Sequence, residues 1–125
     1  MNKRIVMDYT SQEHKAMVLK SAGRLQQLYI GNITYIEGDS YLSIIHFFNC
    51  KETESFSKLL KELESELSPY GFIRISKKVL LNMKFFKYLK GQNKKKIIVL
   101  TDNSTKLTIS TRKLSILNHF FQIAI

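Results

Sequence analysis

The apolar residues of this chain come in short, interrupted sets, and most of them alternate with polar neighbours. A period of two marks half-buried strands. Ala16 to Ser21 and Arg24 to Ile30 form one expected strand pair, turning at Ala22-Gly23. Ile33 to Glu37 and Tyr41 to Phe48 form a second, turning at Gly38-Asp39-Ser40. One stretch keeps a different period: Phe56, Leu59, Leu60, Leu63 and Leu67 make a stripe at helical spacing, with Lys58, Lys61, Glu62, Glu64 and Glu66 on the other faces. Thr53 is the expected N-cap and Glu54 suits the positive end of the dipole, while Pro69 and Gly71 end the helix.

Further along, Phe72 to Ile75 is a short strand and Val79 to Asn82 a single helical turn. Phe85 to Leu89 and Lys96 to Leu100 flank a hairpin loop, Gly91 to Lys95. Thr101-Asp102-Asn103-Ser104 turns the chain into a strand over Lys106 to Ile109. An amphipathic segment from Thr111 to Phe121 closes it, with Leu114, Leu117, Phe120 and Phe121 on one face. Residues 1–14 are polar and patternless and read as a tail or the remnant of a linker, leaving 15–125 as the domain. The expected fold is mainly β (a β-rich α+β class): small antiparallel sheets, one amphipathic helix packed alongside and a short C-terminal helix. A parallel α/β sheet is excluded, because the crossover helices are missing.

Composition changes this picture at one point. The 125 residues carry a net charge of +10, but unevenly. Residues 1–73 hold eight Lys/Arg against nine Asp/Glu, whereas residues 74–125 hold twelve against Asp102 alone. A one-sided basic field of this size points to an anionic polymer or surface as partner. The single Cys50 forms no internal disulfide, so a reducing, cytoplasmic setting is expected. The apolar runs are too short to cross a bilayer, and the start of the chain lacks the apolar core of a signal peptide.

Positive signs of catalysis are missing. The five glycines are isolated, so no phosphate-cradling loop is present. His14, His46 and His119 lack Cys or carboxylate neighbours at metal-ligand spacing. His46 reads as a packed strand residue. Glu62, Glu64 and Glu66 form a solvated helix face, and Cys50 lacks a catalytic partner. No enzyme activity, cofactor or metal is expected.

The basic half contains three clusters: Arg74-Ile75-Ser76-Lys77-Lys78 after a strand, Lys84, Lys87, Lys90 and Lys94-Lys95-Lys96 around a hairpin, and Ser110-Thr111-Arg112-Lys113 before the closing helix. Lysines near hairpins suit phosphate contacts, and an Arg at a strand-to-helix junction suits bidentate reading of guanine in a major groove.

With these clusters the sequence resembles a known family, the LytTR-type DNA-binding domains that serve as effectors of bacterial response regulators (the LytR/AgrA family). The resemblance rests on Ile33-Thr34-Tyr35-Ile36-Glu37 with Tyr41 shortly after, the Leu59-Leu60-Lys61-Glu62-Leu63-Glu64 helix, Gly71-Phe72-Ile73-Arg74-Ile75-Ser76-Lys77-Lys78-Val79-Leu80-Leu81-Asn82, and Ile109-Ser110-Thr111-Arg112. It spans about Ala16 to Phe121. It implies an elongated arrangement that inserts loops, not a recognition helix, into successive major grooves of double-stranded DNA and bends it. The expected target is paired direct repeats bound by a homodimer on DNA, with a receiver domain or sensor kinase in a parent system. The carry-over makes Lys77, Arg112 and Ser43 base-reading candidates. It makes Ser40, Ser76, Lys78 and Ser110 backbone candidates, and the basic clusters themselves add Lys84, Lys87, Lys95 and Lys113 to that set. Ser76 and Lys78 replace the family's usual His and Ser. Asn82 is expected to cap local backbone rather than to read a base.

Two rival readings remain open at this stage. A basic RNA-binding protein would stack bases on exposed aromatics, for which Tyr70, Phe85, Phe86 and Tyr88 are the available residues. An electrostatic protein- or membrane-surface module would bind any anionic surface without regard to sequence.

Overall fold

The computed structural model describes residues 9–92 and 95–121. Ala22 and Gly23 both take positive φ (49° and 80°), the mirror-image turn whose twist matches two antiparallel strands. Ala16–Ser21 (β1) accordingly pairs with Arg24–Tyr29 (β2), Ser21 facing Arg24. The second hairpin joins Ile33–Asp39 (β3) to Leu42–Phe47 (β4). Its turn falls on Ser40-Tyr41, one residue later than expected, with Ser40 at φ 56°.

Two expectations are corrected. Thr53 does not cap a helix: Thr53–Phe56 is an edge strand (β5) paired with β4, and the helix (α1) covers only Leu60–Leu67. Phe56 lies in phase with the leucine stripe by coincidence and is buried from the strand instead. Leu59, also in the stripe, precedes the helix and is 44% exposed. The second correction concerns Val79–Asn82, which is not a helical turn but a strand (β7) between β3 and β6 (Phe72–Ser76). A strand covered on both faces reads as a continuous apolar run; Leu80 and Leu81 are both fully buried, one in each core.

The five-stranded sheet therefore runs β5-β4-β3-β7-β6. A second sheet of three strands, in the order β10-β9-β8, comprises Phe86–Gln92 (β8), Lys95–Leu100 (β9) and Lys106–Ile109 (β10). A 3₁₀ turn over Thr111–Lys113 leads into the closing helix, Leu114–Phe121 (α2). On one face of the large sheet, Ile36, Ile45 and Leu80 pack with Leu60, Leu63 and Leu67 of α1 and with Leu19 and Leu28 of the first hairpin. On the other, Ile73, Ile75 and Leu81 pack with Ile98, Leu100, Leu107 and Ile109 of the small sheet and Leu117 of α2. A register shift between Ile33 and Tyr35 puts Ile33 in the first core with Ile36 and leaves Tyr35 against the second.

The polar stretch before β1 was expected to be a tail, and its residues 1–8 lie outside the described ones. From Tyr9 onward it is packed. Gln12 is 1% exposed; its amide donates to the Asn82 side chain (2.8 Å) and to the Tyr70 carbonyl (2.7 Å), and Asn82 returns a bond to Gln12 Oε1 (3.0 Å). Asn82 also donates to the Ile33 carbonyl and accepts from the Lys84 amide, so one buried amide ties four segments together. Tyr9 lies over Gly71, which ends the turn after α1 at φ 92°. A Cβ at that position would sit 3.3 Å from the Tyr9 ring. Gly71→Ala is expected to cost about 1–2 kcal/mol from the left-handed backbone alone, measured by urea denaturation.

Candidate nucleic-acid interface

Hairpin register decides which loops meet. β3 and β4 end together at Ser40-Tyr41, because Asp39 faces Leu42. β7 begins beside them: Val79 faces Glu37, and the Gly38 amide donates to the Lys78 carbonyl at 2.8 Å. The β6–β7 turn, Lys77-Lys78, thus lies next to the β3–β4 turn. On the other side of β6, the Ser110 amide donates to the Ile75 carbonyl at 2.9 Å, drawing the Ser110-to-Lys113 segment to the same end. Ile109 faces Lys96, and Gln92 faces Lys95, so the β8–β9 hairpin also points this way. Ser40, Lys77, Lys78, Lys95, Lys96 and Arg112 are all exposed there, and Ser76, Ser110 and Lys113 half-buried. Lys94 of the same hairpin lies outside the described residues.

The β6–β7 turn is held from behind. Arg74 bonds Glu64 of α1 at 3.1 Å and donates to the Lys77 carbonyl at 2.5 Å, while the Ser76 hydroxyl accepts from the Lys78 amide at 3.3 Å. An irregularity between Arg74 and Ser76 adds a bulge at the same place; bulges bend a strand and re-aim its side chains. The sequence marks Arg74 as part of a basic cluster, but its charge is spent on this brace.

Three expected site residues are placed elsewhere. Ser43 is fully buried and its hydroxyl donates to the Lys58 carbonyl at 2.5 Å, so it has no route to a base; the pleat turns it inward, and Ser40 and Tyr41 (83% exposed) are what that loop offers instead. Lys84 and Lys87 are exposed, but at the opposite end. Lys84 follows β7 and donates to the Gly31 carbonyl before β3. Lys87 starts β8 and donates to Asn103. A strand separates each from the clustered turns, roughly 15 Å at the usual rise per residue.

Among the described residues no group of His, Cys, Asp or Glu is arranged to hold a metal ion. No helix among them is long and apolar enough to cross a membrane.

The architecture is that of a basic, β-rich module presenting loops at one end. Residues 23–122 match the LytTr DNA-binding domain family, and the chain belongs to it. A solved LytTr DNA-binding domain from Bacillus cereus, part of a protein described as a methyl-accepting/DNA response regulator, is similar in fold: the TM-score is 0.70 at 15% identity, covering 86% of this chain and 97% of that one. No curated protein matches the sequence.

Proposed function

We propose that this domain binds double-stranded DNA in a sequence-specific manner and acts in transcriptional regulation, as the effector part of a two-component response regulator or as a stand-alone regulator. The observation that carries the reading is the convergence of the Ser40-Tyr41, Lys77-Lys78 and Ser110-to-Lys113 segments, with the β8–β9 hairpin, at one end of the molecule. Lys77 and Arg112 read base edges in the major groove. Lys78, Lys95 and Lys113, with the hydroxyls of Ser40, Ser76 and Ser110, hold phosphates. Paired direct repeats and a homodimer on DNA follow from the family's habit, and a receiver domain would be joined ahead of the packed Tyr9-to-Gln12 segment. Lys84 and Lys87 fall outside this footprint.

The RNA-stacking alternative is disfavoured by packing. Phe85 is buried and stacked on Phe48, Phe86 packs on Phe121, Tyr70 is half-buried, and of these four aromatics Tyr88 alone is exposed.

Fluorescence-anisotropy titrations against random duplex, single-stranded RNA and anionic vesicles at matched salt test the class; a preference for RNA or vesicles overturns it. Within it, Lys95→Ala is expected to lower affinity evenly across sequences and to reduce the salt slope by about one. Lys84→Ala should leave affinity within about twofold, since a lysine off the phosphate path releases no counterion. Equal losses for both variants would mean that the duplex runs along a different face.

A further inference from the structure

Away from the clustered turns, a cleft of about 400 Å³ opens between the two sheets. That is within the size range of small-molecule sites, roughly 300–1,000 Å³. Its walls come from both sheets: Thr34, Tyr35 and His46 from β3 and β4, Phe48 just after β4, Phe85 before β8, and Asp102 from the turn between β9 and β10.

Two features make it more than a gap in packing. The first is a set of fixed aromatic surfaces. Tyr35 and His46 stack with centroids 4.0 Å apart and planes within 10°, and His46 Nε2 is held by Glu37 at 2.5 Å. Phe48 and Phe85 stack at 5.3 Å. The second is charge. In the strongly basic half of the chain, the sole acid is Asp102, and it lines this cleft. Burial pushes the Asp102 carboxyl up, but bonds from the Thr105 hydroxyl and the Thr105 and Ser104 amides outweigh it and hold the group below the ordinary value, so it stays an anion. Burial and then the charges of Glu37 and Asp102 raise the Tyr35 phenol. Among the described residues, Lys51, on the exposed loop after β4, is the sole ammonium in the lining, and its flexible stem lets the charge turn to water.

Aromatic faces and a fixed carboxylate together recognise organic ammonium groups. We propose that the cleft is a binding site for a small organic cation, an amine carried on a flat or apolar body, with the amine on Asp102 and the body between the Phe48–Phe85 and Tyr35–His46 surfaces. Because its walls belong to different sheets, an occupant ties the sheet bearing Lys77 and Lys78 to the one leading into Arg112.

The test is an NMR titration of the 125-residue protein with phenethylammonium, phenylacetate and 2-phenylethanol. The expected result is saturable shifts confined to the cleft residues, with the cation bound at least about tenfold more tightly than the anion. Asp102→Asn keeps an oxygen for the Ser104 and Thr105 amides, so the turn survives, and it should abolish that preference. Phe48→Ala alters a residue that is 46% exposed, leaves the fold intact and should weaken cation binding several-fold. Equal binding of cation and anion, shifts scattered over the surface, no saturation, or a preference retained in Asp102→Asn would each overturn the proposal. No DNA enters the measurement, so its outcome is separate from that of the DNA-binding test.

Discussion

Asn82→Ala is expected to destabilise the domain by about 3–5 kcal/mol, read as a shift in the urea midpoint at unchanged slope. The side chain is fully buried and makes four hydrogen bonds to three residues: two with Gln12, one to the Ile33 carbonyl and one from the Lys84 amide. Truncation takes this partner from the buried Gln12 Oε1 and Ile33 carbonyl and from the half-buried Lys84 amide, at about 1–3 kcal/mol each before relaxation or water entry recovers part of the loss. Gln12→Ala should cost less, because Asn82 keeps its two backbone partners. The double variant should fall well short of the sum, since the two amides share their bonds. Full additivity would show that the N-terminal segment and β7 are not coupled through this pair.

Arg112→Ala is expected to weaken binding to a cognate duplex by about 1–3 kcal/mol while leaving affinity for random duplex and the salt slope almost unchanged. Arg112 is exposed within the 3₁₀ turn after β10, and the Ser110–Ile75 bond sets that turn at the same end as Lys77. A bidentate guanidinium discriminates among bases, whereas a lysine of equal charge does not. Arg112→Lys should therefore behave like Arg112→Ala in specificity yet retain the charge. A loss spread evenly over all sequences, as for Lys95→Ala, would reassign Arg112 to phosphate binding.

Much of the architecture was legible along the chain because strand alternation and turn chemistry are local. Ala22-Gly23 announces the first hairpin, and Lys106 to Ile109 is a strand in both readings. What failed was decided by neighbours in space. Thr53 to Phe56 looks like the first turn of a helix until β4 supplies it with an edge to pair with. Val79 to Asn82 looks too short and too uniformly apolar for an ordinary strand, and becomes one because cores exist on both of its faces. For the site, the clustering of positive charge was readable but its distribution was not. Lys84 and Lys95 are equivalent as sequence, and only hairpin direction separates them to opposite ends. Ser43 faces inward, which the sequence did not show because its exposure depends on pleat phase. Gln12 carried a faint signal, a short polar stretch ahead of a strand, which reads as solvated until the buried Asn82 is found opposite.

The strut from Glu64 through Arg74 to the Lys77 carbonyl bears on how a fit to DNA would be reached. A turn already closed by its own bonds, tied to its neighbours by the Gly38 and Ser110 amides, has little freedom left to surrender. Adjustment in the complex then falls on the lysine stems and on the duplex itself. A stiff set of protrusions meeting a deformable rod selects not only for matching base edges but for steps that yield easily, such as TA or CA/TG between the contacted grooves. In the proposed complex, base pairs that no side chain touches would take part in the choice of target.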